Sequence, residues 1–191
     1  TYYNKKKEAR QLELLTCLEN NLNNNAVTSV TVFNEGGDLS QFALPKLTVV
    51  NITKRPTYQD FINYINQRGS EQGLHIIANT DVFFDESVSV LKDVLEYGTC
   101  VALSRWDTTE SRRPKLYNKN SSQDVWIFKG CIKKELFANF PLGVPRCDNR
   151  LLYEIERAGY TVLNPAFSIK SYHIHKGQRA LVYTEDDNVY K

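Results

Sequence analysis

The chain has 191 residues, 41% hydrophobic and 24% charged, with 24 Lys and Arg against 22 Asp and Glu for a net charge of +2. That profile belongs to a globular domain with a real core and excludes extended disorder, collagen and coiled coil. The charge balance excludes a dedicated nucleic-acid binder, and apolar runs such as Val88 to Leu95 fall far short of the ~20 residues a membrane span needs.

Residues Lys5 to Leu22 place Ala9, Leu12, Leu15, Leu18 and Leu22 at helical steps of three and four, and the helix ends in Asn23, Asn24 and Asn25. Val27 to Phe33 is rich in Val and Thr and runs into Asn34, Glu35, Gly36 and Gly37, a strand entering a turn. A second strand is predicted over Leu47 to Ile52. Thr57 then serves as N-cap of a helix with Asp60 in its first turn and Tyr58, Phe61, Ile62 and Ile65 at helical spacing. Leu74 to Ala78, a short apolar run holding His75, reads as a buried strand that ends in the polar trio Asn79, Thr80 and Asp81. His75 itself reads as a satisfied core residue.

Ser87 to Glu96 predicts a helix ended near Gly98, and Thr99 to Ser104 the next strand. Asp107 to Ser122 is polar and without periodicity, which predicts a long surface loop. Asp124 to Phe128 follows as an aromatic strand, Lys133 to Phe137 as a short helix, and Asp148 to Ala158 as a helix closed by Gly159. Val162 to Leu163 and Ile169 to Ile174 complete the strands. Alternating strands and helices predict an open α/β sheet with parallel pairing as its default, in a single domain spanning residues 1–191, either a compact unit by itself or one domain of a longer polypeptide. Cys17, Cys100, Cys131 and Cys147 lie too far apart for a zinc pattern and predict free thiols, hence a reducing, cytoplasmic location.

Three groups of residues carry chemistry. Asn79, Thr80 and Asp81 leave a strand at its carboxyl end, where α/β sheets bind ligands, and one carboxylate there can share a divalent ion with phosphate oxygens and water. The same three residues also suit a capped turn. Second, alternation sets His173 and His175 on one face of a strand, followed by Lys176 and Arg179. One imidazole can complete a metal shell begun at Asp81 and the cations can neutralise a diphosphate; the plainer reading is two surface histidines. Third, Pro141 to Arg150 is a proline-bracketed loop ending at a helix start, where Asp148 is either an N-cap or a carboxylate able to accept a hydroxyl proton. Trp106, between Arg105 and Asp107, is the aromatic least suited to a simple core role.

Taken in order, the helix after Tyr2 and Tyr3, Asn79-Thr80-Asp81 at a strand end, Ala102 to Asp107, Ser122 to Phe128, Gly143 to Arg150, and Asn164-Pro165 with His173-Ile174-His175 resemble small nucleotide-sugar glycosyltransferases of the GT-A fold. Within that group the chain is similar to the transferase domains that build capsid glycans in large algal viruses, a rhamnosyltransferase domain among them. The resemblance implies a Rossmann-like, mixed but mostly parallel sheet flanked by helices. It also implies an acidic motif, usually Asp-x-Asp, that holds Mn2+ or Mg2+ against the donor diphosphate. Here the motif reads Asn79-Thr80-Asp81, which leaves Asp81 as the direct ligand and Asn79 as a ribose or water contact. A late histidine, His173 or His175, would be the other ligand. Tyr2, Tyr3, Arg10 and Arg55 would frame the nucleotide, with Arg179 at the diphosphate. Asp148 would be the catalytic base of an inverting transfer, with Asp124 and Asp107 in reserve, or an acceptor-binding residue if configuration is retained; Trp106, Asp107, Asp124 and Asn149 would meet the acceptor.

The expected activity is therefore a metal-dependent hexosyl transfer in glycan biosynthesis, from a UDP-sugar such as UDP-rhamnose or UDP-glucose to a saccharide acceptor. Nucleic acid and a transmembrane anchor are not expected partners. A nucleotidyltransferase would need a second carboxylate and a phosphate-clasping glycine loop, for which Gly36-Gly37 is a weak candidate. A sugar-binding module of the same fold without turnover is the other alternative.

Overall fold

The computed structural model describes residues 8–42, 44–109, 112–119 and 122–174. Helix α1 (Glu8–Asn23) precedes the parallel strands β1 (Val30–Asn34) and β2 (Leu47–Asn51). Helix α2 (Tyr58–Arg68) follows, then β3 (Leu74–Ala78) and β4 (Val82–Phe84). A 3-10 turn over Glu86–Val90 leads into the short α3 (Leu91–Val94), and β5 (Thr99–Leu103), β6 (Trp106–Thr109), β7 (Arg112–Leu116) and β8 (Val125–Lys129) come next. The described part closes with α4 (Cys147–Arg157), β9 (Thr161–Leu163) and β10 (Ser171–Ile174).

A central sheet has the order β3-β8-β5-β9, and a second sheet the order β4-β10-β6-β7. The central strands are buried on both faces, as their near-continuous apolar sequences require. Along β8, Trp126 and Phe128 join Tyr58, Ile62, Leu151 and Ile155 beneath α2 and α4, while Val125 and Ile127 join Val82, Val88, Leu91 and Leu103 on the opposite side. Thr57 caps α2 through a reciprocal pair: its backbone N–H donates to Asp60 Oδ2 at 2.7 Å, and its hydroxyl accepts from the Asp60 N–H.

Several elements differ from the expectations above. Parallel pairing holds for β1-β2, β5-β9 and β6-β10, but β8 runs antiparallel to both β3 and β5. The segment 107–122, read as loop, contributes β6 and β7, an antiparallel pair with a register shift between Asp107 and Thr109. Ser87 to Glu96 divides into a 3-10 turn and one short helix, and Lys133 to Phe137 forms a turn without a helix. On α1 the buried stripe is Leu14, Cys17, Leu18 and Leu22, and Leu12 is 52% exposed. The helix is rotated because Asn21 and Asn24 on the same face bond the β4 backbone: Asn21 Nδ2 donates to Val82 O, and Asn24 Nδ2 to Phe84 O, both at 2.9 Å.

His75 is half-buried at a sheet edge, its Nε2 2.8 Å from Ser70 O, satisfied but outside the core. All four cysteines are free. No helix among the described residues is long and apolar enough to cross a membrane.

Replacing Thr57 with Ala removes the hydroxyl half of the α2 cap, leaving the backbone N–H to Asp60, and is expected to cost about 1 kcal/mol. Urea unfolding should show a lower midpoint at unchanged slope.

Candidate functional site

Strand register assembles the site. His173 on β10 lies opposite Asp107 on β6 on one side and Val82 on β4 on the other, which sets Asp81, the residue before β4, beside it. The imidazole sits between two carboxylates, with Nδ1 3.0 Å from Asp107 Oδ1 and Nε2 3.2 Å from Asp81 Oδ2. From the first turns of α1, Arg10 reaches Asp81 Oδ2 with Nη2 at 2.5 Å and Glu13 Oε2 with Nη1 at 2.5 Å. Beyond Asp107, Arg105 joins the next two carboxylates: Nε donates to Asp107 Oδ1 at 2.9 Å and Nη1 to Asp124 Oδ2 at 2.7 Å. Asn79 closes the line, its Nδ2 donating to Asp124 Oδ1 at 2.7 Å and its backbone N–H to Asp124 O at 3.0 Å.

The result is an alternating row, Glu13, Arg10, Asp81, His173, Asp107, Arg105, Asp124, in which successive neighbours carry or can carry opposite charge. Asp81 is 5% and His173 3% exposed. Burial by itself would raise the Asp81 carboxyl, but the hydrogen bond and charge of His173, followed by those of Arg10, hold it well below the usual carboxylate range. Burial likewise opposes the Arg105 charge, and Asp124 and Asp107 more than restore it.

Asp148 faces the same region from α4. The helix begins one residue earlier than expected, and its N-cap is Arg146, at φ 63, so Asp148 sits in the first turn and is not the cap. Arg146 is the one non-glycine residue with positive φ among those described, and Gly143 in the same loop has φ 73. Backbone in this region clusters at functional loops. Burial raises the Asp148 carboxyl, the backbone N–H groups of Asn149, Asp148 and Gln123 oppose the rise, and the charge of Asp124 adds to it. Cys147 beside it is a buried thiol 3.6 Å from the Tyr58 hydroxyl, raised from its ordinary value by that burial, which suits packing rather than nucleophilic attack.

The remaining expected residues fall as follows. Asn79, Asp81, His173, Asp107 and Asp124 come together, with Arg10 delivered by α1. Arg55, after β2, lies 3.9 Å from Glu35, at the loop that follows β1. The Asn34 side chain shapes that loop by pairing with both backbone groups of Gly37. Trp106 donates from Nε1 to Ala166 O at 2.8 Å, and Asn149 is exposed on α4. Tyr2, Tyr3, His175 and Arg179 lie outside the described residues. Arg105 and Glu13 went unselected in the sequence. Arg105 carried one usable signal, since strand alternation sets it on the same face as Asp107.

A cleft of about 1020 Å³ opens between β1 and β3, which share no hydrogen bonds, and its lining runs from Gly69 and Gly73 past Phe33 and Phe61 to Asn79 and Thr80. One end of this cleft therefore meets the charged row. Among the described residues no three His, Cys, Asp or Glu side chains are arranged to hold a metal by themselves. Asp81 and His173 nevertheless fit a divalent cation that takes its other ligands from phosphate and water. They offer one carboxylate oxygen and one imidazole nitrogen side by side, and Asp107 orients the ring from behind.

No protein-family model matches the chain, and no curated protein matches it in sequence. Among solved structures it is similar to the mannosyltransferase PcManGT from Pyrobaculum calidifontis in complex with GDP-Man and Mn2+, at TM-score 0.56 and 13% identity over 93% of this chain and 56% of that one. It is also similar to GalNAc-T7 with UDP, GalNAc and Mn2+, at TM-score 0.51 and 8% identity over 90% of this chain and 43% of that one. The chain thus spans about half the length of each. These likenesses establish the fold, a mixed α/β architecture of the GT-A type.

Arg105→Ala would strand Asp107 and the buried Asp124 without their shared cation. A loss of about 3 kcal/mol is expected, read by urea unfolding at neutral pH.

Proposed function

We propose that the chain is a glycosyltransferase that moves a sugar from a nucleoside-diphosphate donor to a saccharide hydroxyl with the help of a divalent metal ion. UDP-sugars, UDP-rhamnose and UDP-glucose first, are the donors to test. The observation that carries the proposal is the Asp81–His173 pair with Asp107 behind it, next in sequence to Asn79 and Thr80, which line the end of the cleft between β1 and β3. A cation held by Asp81 and His173 would neutralise the diphosphate and stabilise it as a leaving group.

The chain's own residues supply the rest. Asn79, at the end of the cleft, would contact the ribose or an ordered water while Asp124 holds its side chain. Arg55, at the loop after β1, would approach the nucleotide from the side of β2. Asp107 positions His173: accepting from Nδ1–H, it directs Nε2 toward Asp81.

Asp148 is the base in this reading. Its carboxylate takes the proton of an acceptor hydroxyl, the hydroxyl oxygen forms a bond to the anomeric carbon, and the bond from that carbon to the diphosphate oxygen breaks, releasing nucleoside diphosphate. Burial and the Asp124 charge raise Asp148, which makes it a stronger base than an exposed aspartate. Direct displacement of this kind inverts the anomeric configuration. Trp106 and Asn149 would border the acceptor.

Asp148→Asn is expected to lower transfer by about 10²- to 10⁴-fold with donor affinity nearly preserved. The wild-type kcat/KM should fall on the acid side with a midpoint above about 4, the ordinary aspartate value, because the raised carboxyl loses its basic form at higher pH. The variant should lack that limb, and wild-type kinetics in it would remove Asp148 as the base. Asp107→Ala removes the acceptor that holds the His173 ring and should weaken Mn2+ binding by about 10- to 100-fold, measured by calorimetry.

A further inference from the structure

Arg10 and His173 converge on one atom. Both Nη2 of Arg10, at 2.5 Å, and Nε2 of His173, at 3.2 Å, point to Asp81 Oδ2, the oxygen through which Asp81 would share a cation with that imidazole. A guanidinium stays charged at every accessible pH. Inside a site this buried, like charges are weakly screened, so a metal ion and the Arg10 guanidinium oppose one another at that oxygen.

The same structure supplies a place for Arg10 to go. Glu13, one turn along α1 and 6% exposed, already holds Nη1 at 2.5 Å. Arg10 can therefore release Asp81 and keep a buried carboxylate as partner. Asn21 and Asn24, bonded to the β4 backbone, pin the far end of α1, so the shift is confined to the side chains of its first turns.

We propose that Arg10 is an internal competitor for the divalent cation: in the metal-free chain it neutralises Asp81, and a cation binds Asp81 and His173 only by displacing it onto Glu13. The inference rests on the metal reading given above. It extends that reading by making the metal-free site a closed ion pair rather than an open one. The resident guanidinium lowers affinity for the free ion, and a diphosphate, which can itself pair with Arg10 through two oxygens, would relieve the competition. Metal and nucleotide binding are then coupled through a single side chain.

The test is Mn2+ binding to the nucleotide-free chain, read as loss of the free-ion signal in electron paramagnetic resonance, for wild type, R10Q, E13Q and D81N. R10Q should bind Mn2+ about tenfold or more tightly than wild type, because the competing charge is gone. E13Q, which leaves Arg10 with Asp81 as its anchor, should bind less tightly than wild type, and D81N should lose most binding. If R10Q binds no more tightly than wild type while D81N is impaired, the competition is wrong and the metal site stands. If D81N binds as wild type does, or R10Q takes up no Mn2+, both the competition and the metal reading fall. Thermal melting checks that each variant is folded. Should R10Q not melt cooperatively, E13Q decides: weaker binding supports the competition, and equal or tighter binding overturns it.

Discussion

A carboxylate withdrawn from water is the constraint around which the rest of this structure is arranged. Asp81 is 5% exposed, and a bare anion there would neutralise by taking up a proton. It stays ionised because two cationic or cation-capable groups meet it from different elements, His173 from β10 and Arg10 from α1. Each of those is itself paired, with Asp107 and Glu13, and Arg105 and Asp124 extend the row to Asn79. Asp81, Asp107 and Asp124 are each met by two donors shared along the row, so its members couple. Burying such a row costs stability relative to apolar side chains, and its presence at the strand ends points to use rather than to support.

The two four-stranded sheets divide the labour. Hydrophobic packing on both faces of β8 and β5 fixes the central sheet, which delivers Asn79 from β3 and holds Asp124 just ahead of β8. The second four-stranded sheet contributes register: pairing of β10 with both β4 and β6 aligns His173 with Asp107 and with the residue after Asp81. Helix α4, whose apolar face lies on the central sheet, brings Asp148 to the Asp124 end of the row. Metal chemistry at Asp81 and proton transfer at Asp148 would therefore occur at opposite ends of one charged line, joined by Arg105.

Much of this was legible in the sequence where local physics decides. Leu74 to Ala78 and the Thr57–Asp60 cap stand where their patterns predicted, because a continuous apolar strand and a reciprocal cap need only neighbouring residues. Asp81 stands out in the sequence at a strand end, and His173 only as one of an alternating pair in which His175 is slightly favoured. What escaped depended on distant partners. Segment 107–122 lacks apolar periodicity because β6 is held by polar residues that pair with β10 and β7, so the segment reads as loop and Asp107 as an acceptor contact rather than as a partner of His173 and Arg105. The antiparallel entry of β8 follows from that same excursion through β6 and β7. On α1, the expected inner face holds for Leu15, Leu18 and Leu22 but not for Leu12, because the inward side also takes the buried Glu13 and the half-buried Arg10 and Asn21, which bond one another, Asp81 and β4. A hydrophobic stripe cannot announce a face that is buried through its charges.

The central claim is that this row exists to hold a metal ion against a nucleoside diphosphate. Calorimetric titration of UDP and GDP into the chain, with Mn2+ and again with a chelator, tests it most directly. The account predicts that at least one of the two nucleotides binds markedly more tightly with Mn2+ and loses that gain when the metal is removed. Nucleotide affinity that is equal with and without the metal, or absent in both conditions, would contradict it.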